Sequence, residues 1–337
     1  MDKTRILVTG GCGFIGSNFI RYMLSKYPYI IINFDKLTYA GNLENLKDVE
    51  SDSRYTFVRG DIASKADLAS VFEQGIDVII NFAAESHVDR SILDPDTFIR
   101  TNINGTFNLL EEARKREVKR FIQISTDEVY GSLGKEGKFT ESTPLSPNSP
   151  YSASKTAADM LAMAYHKTYG TPVLITRCSN NYGPYQFPEK LIPLIITNAL
   201  EDKELPVYGD GMNVRDWIHV IDHAVAIDAV LHKGVLGNVY NIGGENERTN
   251  IEIVKLILSI LGKPESLIKY VTDRPGHDRR YAIDSSRIKR ELTYSVITDF
   301  RKGMEDTVKW YLDNRGWWER IKSGAYLEYY DRMYKNR

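Results

Sequence analysis

The stretch TGGCGFIG, residues 9–16, follows a short apolar segment and opens a segment with helical periodicity, residues 14–27. Its glycines Gly10, Gly13 and Gly16 have the spacing G-x-x-G-x-x-G. Between a strand and a helix, the first glycine permits a tight turn, the second lets a diphosphate approach the backbone, and the third lets the helix pack closely on the sheet. The exposed N–H groups at the start of such a helix bind phosphate. The stretch therefore predicts a dinucleotide-binding turn.

Short apolar runs alternate with helical patterns through the first half of the chain. The run DVIIN, residues 77–81, is apolar almost throughout, as expected for a strand covered on both faces. Alternating β and α units predict a parallel sheet with right-handed crossovers. We therefore expect an α/β fold: a Rossmann-type doubly wound parallel sheet with a smaller, interleaved C-terminal α/β substrate lobe. Long helices are predicted at residues 95–117 and 151–169.

The alternation loosens beyond Asn180, and no Gly/Ser-rich linker separates the two halves. Residues 1–178 are predicted to form the NAD-binding domain, with returning segments around 214–245. Residues 179–213 and 246–337 are predicted to form the smaller substrate lobe. Further helices are expected at 189–201, 222–232, 251–261, 285–292 and 298–314, with Asp222 capping the second of these.

Composition excludes several classes of protein. The 337 residues contain 44 Lys+Arg and 45 Asp+Glu, so the net charge of −1 argues against a duplex-binding surface. No apolar run approaches the ~18 residues of a membrane span. The two cysteines, Cys12 and Cys178, can build neither a disulfide framework nor a zinc ribbon, and a cytoplasmic location is expected. His219 and His223 have metal-ligand spacing but lack the partner Glu, so no metal is expected.

Asp35 follows the second predicted strand, about 20 residues beyond the glycine turn, where an acidic side chain binds the hydroxyls of the adenosine ribose. Its negative charge would repel a 2′-phosphate, so the sequence favours NAD over NADP. The alternative is a structural turn followed by an unrelated Asp at a strand end.

Tyr151 and Lys155, in the sequence YSASK, stand at positions i and i+4 on one face of a predicted helix. A free tyrosine has a pKa of about 10. A nearby ammonium together with the positive nicotinamide ring favours the phenolate. Tyr151 could then remove a hydroxyl proton while a hydride leaves the same carbon for NAD⁺, and Lys155 would also hold the nicotinamide ribose. The alternative is an ordinary amphipathic helix start, because Y-x-x-x-K is frequent by chance.

Thr126, Asp127 and Glu128 follow the predicted strand RFIQIS, residues 120–125. Ligands of open α/β sheets bind beyond the carboxyl ends of the strands, which would place Thr126 beside Tyr151. A dehydrogenase or epimerase needs only Thr, Tyr and Lys, whereas elimination of water needs a further acid and base. A solvated acidic turn or a helix cap is the alternative for Asp-Glu.

Together with the glycine turn, the Tyr–Lys pair resembles the extended short-chain dehydrogenase/reductase superfamily. Within it, TDEVYG and YSASK are similar to the dTDP-glucose 4,6-dehydratase family, as are AAESHVDRS (83–91), SNNYGPYQFPEKLIP (179–193), YGDGMNVRDWIHV (208–220) and DRPGHDRRYAID (273–284). The resemblance follows the family's order over essentially the whole chain. Thr-Asp-Glu replaces the pattern of the epimerases and is the discriminating element. One departure is the loop 131–138, which is shorter than in many members.

The resemblance implies dehydration of dTDP-glucose to dTDP-4-keto-6-deoxyglucose in deoxysugar (dTDP-rhamnose type) biosynthesis. Tyr151 would remove the 4-hydroxyl proton while hydride passes from C4 to NAD⁺, and Thr126 would hydrogen-bond the 4-oxygen. The new ketone acidifies the C5 proton, which Glu128 would take while Asp127 donates to the departing C6 hydroxyl. Hydride would return to C6, and Glu128 would reprotonate C5. The catalytic set is completed by Lys155.

The same resemblance implies two sets of ligand-binding residues. The NAD set comprises Gly10, Gly13, Phe14, Ile15, Gly16, Asp35, Lys36, Leu37, Thr38, Asp61, Ile62, Ala83, Ala84, Ser86, Thr101, Tyr151, Lys155 and Asn181. The sugar-nucleotide set comprises Ser86, Thr126, Asn180, Lys190, Leu191, Pro206, Val207, Tyr208, Arg215, Asn250, Arg274, Pro275, Gly276 and His277. Arg215 and Arg274 suit a diphosphate because a guanidinium fork pairs well with phosphate oxygens; a surface salt bridge is the alternative for either.

Two other functions would use part of these motifs. A nucleotide-sugar 4-epimerase or decarboxylase of the same superfamily would share Thr126, Tyr151 and Lys155 but would not need Asp127 and Glu128. A non-catalytic NAD-binding sensor would need only the glycine turn and would have no reason to keep the Tyr–Lys pair.

The resemblance also implies a homodimer. The predicted helices 95–117 and 151–169 would pair across a two-fold axis, which makes an isologous contact. Neither a nucleic acid nor a membrane is expected as a partner.

Overall fold

The computed structural model describes residues 4–323; the end of the predicted C-terminal lobe, residues 324–337, lies outside the described residues. The strands are β1 (Arg5–Thr9), β2 (Ile30–Asp35), β3 (Tyr55–Arg59), β4 (Val78–Asn81), β5 (Arg120–Thr126), β6 (Val173–Cys178), β7 (Asn180–Tyr182), β8 (Leu205–Tyr208), β9 (Val214–His219), β10 (Val239–Ile242), β11 (Glu247–Thr249) and β12 (Ile268–Val271). The helices are α1 (Phe14–Lys26), α2 (Lys65–Phe72), α3 (Val88–Leu93), α4 (Pro95–Phe98), α5 (Thr106–Lys115), α6 (Pro150–Tyr169), α7 (Leu191–Leu200), α8 (Val220–Lys233), α9 (Asn250–Leu261), α10 (Ser286–Leu292), α11 (Phe300–Asp313) and α12 (Arg315–Ile321).

Seven parallel strands form the central sheet, in the order β10-β6-β5-β4-β1-β2-β3. The strand order reverses between β1 and β4, and ligands bind at such a switch point, outside the carboxyl ends of the strands. The glycine turn follows β1 directly and therefore lies at this point. The arrangement confirms the predicted Rossmann-type parallel sheet.

The central sheet has an apolar core on each face, because successive side chains of a strand point in opposite directions. On β1, Ile6 and Val8 join a core that includes side chains of α1, α8 and α10. Leu7 points the other way, into a core that includes side chains of α2, α5 and α6. Both faces of the strand are thus covered, as the continuous apolar runs predict.

A third core unites α7, α9, α11 and α12. Two small sheets accompany it: β11-β9-β7, and the parallel pair β12-β8. The chain returns from this region to the central sheet through α8 and β10. The domain boundaries given above stay a prediction.

The predicted helix at 95–117 is wrong in one respect, because a π-helical segment, Ile99–Gly105, separates α4 from α5. The segment presents Asn102, which is buried and bonds to residues of two other segments. The predicted capping role of Asp222 is also wrong. The helix begins at Val220 with His219 as its N-cap, and Asp222 instead accepts the backbone N–H of Ile297 at 2.8 Å. No helix of residues 4–323 is long and apolar enough to cross a membrane.

Candidate active site

A cavity of about 300 Å³ lies at the carboxyl ends of the central strands. All five predicted catalytic residues line it: Thr126, Asp127, Glu128, Tyr151 and Lys155. The predicted NAD set also lines it, namely Gly10, Gly13, Phe14, Ile15, Gly16, Asp35, Lys36, Thr38, Asp61, Ile62, Ala83, Ala84, Ser86, Thr101 and Asn181, with the exception of Leu37. The fold therefore brings together side chains that are far apart in the sequence.

The glycine turn is shaped for a ligand that approaches the backbone. Gly10 has φ +68°, and a Cβ atom there would stand 2.7 Å from the backbone of Ala83. A Cβ on Gly16 would stand 2.5 Å from the carbonyl oxygen of Gly10, so α1 could not pack against the turn. A Cβ on Gly13 would meet only that oxygen, at 3.3 Å, and the rest of its surroundings are open. The open side at Gly13 and the start of α1 beside it fit a diphosphate.

Asp35 ends β2 and is fixed by two backbone donors. Its carboxylate accepts the N–H of Cys12 at 2.9 Å and the N–H of Leu37 at 2.8 Å. Burial raises the pKa of Asp35, and the two hydrogen bonds oppose that rise. Leu37 thus lies outside the cavity lining and orients the acid through its backbone, with φ +57°. Nearby, the Lys36 ammonium stands 2.8 Å from the Asp61 carboxylate.

Tyr151 and Lys155 share one face of α6, which begins at this point because Ser149 and Ser152 form a capping box. The ammonium of Lys155 is buried and donates to the carbonyl oxygen of Ile124 at 2.6 Å. Burial, followed by the charge of Glu128, raises the pKa of Tyr151 well above its usual value. The lowered pKa expected above depends on the nicotinamide ring as well, so it stays a prediction for the site with NAD bound.

The π-helical segment braces this face of α6. Asn102 Nδ2 donates to Ser154 Oγ at 2.8 Å and to the carbonyl oxygen of Glu85 at 3.0 Å. Ser154 Oγ in turn donates to the carbonyl oxygen of Tyr151 at 2.7 Å. The first turn of α6 is thus tied to the strand end that carries Glu85, which fixes the backbone of Tyr151. Asn102 carries no motif signal, and Ser154 lies within YSASK but was not selected, so sequence reasoning missed both residues.

Asp127 and Glu128 begin a short 3₁₀ helix, Asp127–Tyr130, directly after β5. The hydroxyl of Thr126 accepts the backbone N–H of Glu128 at 3.2 Å and donates to Asp127 Oδ1 at 3.3 Å. Asp127 Oδ2 is buried and has no hydrogen-bond partner among residues 4–323. Burial raises the pKa of Asp127 well above its usual value, and the charges of Glu128 and Asp216 raise it further. These effects favour the protonated form of Asp127.

Glu128 has different surroundings. Burial raises its pKa too, but the positive charges of Arg274, Arg215 and Lys190 oppose the rise. Arg215 is held on β9 by the carbonyl oxygens of Val214 at 2.8 Å and Asp278 at 2.9 Å. Two adjacent carboxyl groups therefore differ in degree: the pKa of each is raised, but that of Asp127 is raised further, so Asp127 is the more favoured proton donor.

Only part of the predicted sugar-nucleotide set lines the cavity: Ser86, Thr126, Asn180 and Lys190. The others lie outside the lining residues, namely Leu191, Pro206, Val207, Tyr208, Arg215, Asn250, Arg274, Pro275, Gly276 and His277. Two of these residues form hydrogen bonds or ion pairs with Asp89, in the first half of the chain. The hydroxyl of Tyr208 donates to Asp89 at 3.0 Å, and Arg274 pairs with it at 3.3 Å. Their roles stay predictions.

The loop 131–138 is held against the segment that follows Arg274–His277. The N–H of Leu133 donates to the carbonyl oxygen of Arg280 at 3.0 Å. The guanidinium of Arg280 returns hydrogen bonds to the carbonyl oxygens of Gly137 at 3.0 Å and Gly134 at 3.3 Å. The short loop thus docks through backbone groups and through the Ser132 hydroxyl, which accepts the N–H of Arg279 at 3.2 Å.

Some lining residues belong to the quoted motifs but were not selected from the sequence: Glu85, Gln186, Phe187 and Glu189. His223, considered above as a metal ligand, instead hydrogen-bonds Asn181 Oδ1 through Nδ1 at 2.9 Å. Burial lowers the pKa of His223 to about 3, so the ring is neutral and orients Asn181. No group of three or more potential metal ligands occurs within the described residues.

Known proteins are similar to this chain in sequence and in fold. The chain is 52% identical to a dTDP-glucose 4,6-dehydratase of Neisseria meningitidis serogroup B, over 96% of this chain and 97% of the relative. A dTDP-glucose 4,6-dehydratase of Bacillus anthracis, solved with NAD, is 57% identical, with a TM-score of 0.89 over 95% of this chain and all (100%) of that one. Another from Streptomyces venezuelae, solved with NAD and dTDP, is 52% identical, with a TM-score of 0.93 over the same shares.

A family model described as GDP-mannose 4,6 dehydratase matches residues 7–307. This match spans most of the chain, and the relatives above exceed half identity over nearly their full length. The resemblance drawn from the motifs is thereby confirmed. The chain belongs to the dTDP-glucose 4,6-dehydratase family, within the wider nucleotide-sugar dehydratase family that this model describes.

Proposed function

We propose that this chain converts dTDP-glucose into dTDP-4-keto-6-deoxyglucose, with NAD as its coenzyme. The observation that carries the proposal is the position of Asp127 and Glu128, which line the same cavity as Tyr151 and Lys155. An oxidation site alone does not need this acid pair, whereas elimination of water does. The names of the relatives support the same reaction.

The cavity residues fit NAD. The open side of Gly13 and the start of α1 would hold the diphosphate, Asp35 would hold the adenosine ribose, and Lys155 would hold the nicotinamide ribose. NAD, when bound, accepts a hydride from C4 of the sugar and returns it to C6. Asp35 favours NAD over NADP because its carboxylate would repel a 2′-phosphate.

Tyr151 takes the proton of the 4-hydroxyl, and the Thr126 hydroxyl hydrogen-bonds the 4-oxygen. The positive charge that lowers the pKa of this phenol must come from the occupied site, because burial and Glu128 raise it in the protein alone.

Glu128 and Asp127 perform the elimination. With a ketone at C4, the C5 proton is acidic, and the Glu128 carboxylate takes it. The C6–O bond breaks as Asp127 gives its proton to the leaving hydroxyl, which departs as water. Glu128 then returns a proton to C5. General acid–base help of this kind is typically worth about 10² to 10⁴ in rate per group.

The test is product analysis by mass spectrometry after incubation with dTDP-glucose and catalytic NAD. The proposal predicts a product lighter than the substrate by one water, with no net reduction of NAD. An isomer of unchanged mass would indicate a 4-epimerase, and loss of carbon dioxide from a uronic acid substrate would indicate a decarboxylase. The absence of any product would indicate a non-catalytic sensor. Each of these results would refute the proposal. Parallel reactions with UDP-, CDP- and GDP-glucose test the preference for thymine.

We also propose a homodimer formed through α5 and α6. The apolar side chains of Ile99, Phe107, Met160 and Tyr169 are 49%, 37%, 57% and 56% exposed on the helical segments that contain or adjoin these helices. Exposed apolar side chains on both of these neighbouring helices favour an interface between copies of the chain. A cytoplasmic location is proposed as well, because Cys12 and Cys178 are free thiols.

A further inference from the structure

Tyr39, Arg90, Phe187 and Glu189 form a cluster at the cavity that the proposed chemistry does not use; we call these four residues the clasp. The guanidinium carbon of Arg90 lies 3.8 Å from the centre of the Tyr39 ring. Arg90 Nε donates to Glu189 Oε2 at 3.1 Å. The Tyr39 hydroxyl also hydrogen-bonds Glu189, and the Tyr39 ring meets Phe187 edge-on at 5.4 Å. Three segments that are remote in sequence are therefore joined at one point.

The clasp joins two segments that both line the cavity. Thr38, Ala40 and Gly41 flank Tyr39 in the loop after β2 and line the cavity. Gln186, Phe187, Glu189 and Lys190 line it from the segment between β7 and α7. Arg90, on α3, bridges the two segments. The dinucleotide cavity is thus bounded by segments that side-chain contacts hold together.

The clasp contains two types of interaction that are stronger than an ordinary neutral hydrogen bond. The Glu189 side chain is only 1% exposed, so its charged hydrogen bond with Arg90 is shielded from water. A guanidinium stacked on an aromatic face adds a cation–π attraction, which strengthens with desolvation. Both joined segments also contain a residue with left-handed backbone: Leu37 with φ +57° and Tyr185 with φ +68°. Such backbone persists where tertiary contacts hold it in place.

Retention of the coenzyme matters for the proposed reaction, on which this inference rests. The hydride taken from C4 returns to C6 of the same sugar, so reduced coenzyme that left in mid-cycle would strand an oxidised sugar. We propose that the clasp is a retaining device: it must open for the dinucleotide to enter or leave, and while closed it keeps the coenzyme in the cavity. Tyr39, Arg90 and Glu189 hold the clasp closed through their polar and cation–π contacts, and Phe187 packs edge-on against the Tyr39 ring.

The experiment measures binding of NADH to the full chain, without any sugar nucleotide. Stopped-flow fluorescence gives the association rate, and displacement of bound NADH by excess NAD gives the dissociation rate. Breaking the clasp in Arg90→Ala should raise both rates about tenfold and change Kd by less than about threefold, because a gate slows entry and exit alike. Tyr39→Phe, which keeps the stacked ring and loses the hydroxyl, should give a smaller rise in both rates.

The chain offers a chemically matched control. Arg287 lies 5.3 Å from the centre of the Tyr240 ring and 3.2 Å from Glu291, and the Tyr240 hydroxyl also donates to Glu291. This Arg–Tyr–Glu group has no member in the cavity lining. Arg287→Ala should therefore leave both NADH rates at the parent values.

The outcomes separate the clasp from simpler roles. Parent rates in a folded Arg90→Ala variant, or a faster dissociation with unchanged association, would overturn the proposal; the second result would make Arg90 an ordinary contact residue. If the Arg90→Ala variant loses its native circular dichroism spectrum, the Arg90→Lys variant is used instead. Lysine keeps the positive charge but cannot stack a planar group on the Tyr39 ring. This variant too should raise both rates. A parent chain that binds no NADH would refute the coenzyme assignment and the clasp with it, whereas failure of dehydration alone would leave these rates as they are.

Discussion

Asp127→Asn should separate the oxidation of the sugar from the loss of water. The substitution keeps the size of the side chain and removes the proton that Asp127 gives to the C6 hydroxyl. Turnover should fall by about 10²- to 10⁴-fold, the usual contribution of a general acid. Tyr151, Thr126 and Lys155 are untouched, so C4 oxidation should continue and reduced coenzyme should accumulate on the enzyme. The parent shows no such accumulation if elimination follows oxidation quickly.

The same variant should become more stable relative to the parent as the pH rises. Burial raises the pKa of Asp127 well above its usual value of 3.8, so the folded chain holds this proton more tightly than the unfolded chain. Below pH 3.8 the carboxyl group is protonated in both the folded and the unfolded chain, so it does not change the pH dependence of the free energy of unfolding. Above this pH, the unfolded chain ionises while the folded chain does not, and the parent loses up to about 1.4 kcal/mol per pH unit. Asn cannot ionise, so the variant escapes this loss until the pH reaches the folded pKa.

Two assays check this prediction. Near-ultraviolet absorbance of the reduced nicotinamide follows the trapped coenzyme, and urea unfolding at several pH values from about 4 to 8 gives the free energy of unfolding. Glu141→Gln is the control: Glu141 accepts the backbone N–H of Asn241 at 3.0 Å and lies outside the cavity lining, so its turnover should match the parent. An Asp127→Asn variant with parent turnover, or one that neither reduces coenzyme nor forms product, would show that Asp127 is not the acid of the elimination step.

Three further variants address the rest of the account. Tyr151→Phe removes the group that takes the 4-hydroxyl proton, so turnover should fall at least about 10²-fold and no reduced coenzyme should form; accumulation of reduced coenzyme would contradict this. Glu128→Gln should keep coenzyme reduction but lose exchange of the C5 proton with deuterated solvent, measured by NMR. Retained exchange would assign the base elsewhere. Met160→Glu places a charge among the exposed apolar side chains of α6 and should convert the proposed dimer into a monomer, as measured by sedimentation. An unchanged mass would contradict an interface through α6.

The parts of the fold that depend on local pattern could be predicted from the sequence. Alternating apolar runs and helical patterns fix the kind and order of the central elements, and Gly10, Gly13 and Gly16 mark the turn after β1. A parallel sheet then follows, because each helix crosses over and returns the chain to start the next strand in the same direction. The carboxyl ends of the strands therefore meet at one edge of the sheet. This is why Thr126 and Tyr151, remote in sequence, could be expected in one cavity.

Other features depend on contacts that no local pattern encodes. The π-helical segment exists where Asn102 reaches Glu85 and Ser154, on two other segments. The raised pKa of Tyr151 depends on its burial and on the charge of Glu128, neither of which helical spacing reveals. The clasp joins Tyr39 with residues about fifty and one hundred and fifty positions away, so its members stand out only once the chain is folded.

The fate of the C4 hydrogen tests the central claim most directly. dTDP-glucose deuterated at C4 is mixed with an equal amount of substrate that carries ¹³C in the sugar ring and no deuterium, and the product is analysed by mass spectrometry and NMR. The account predicts deuterium at C6 of the product, in the same molecules that carried it at C4, with none transferred to the ¹³C-labelled sugar. Deuterium retained at C4, lost to solvent, or found in the ¹³C-labelled product would contradict a hydride that is removed and returned within one closed site.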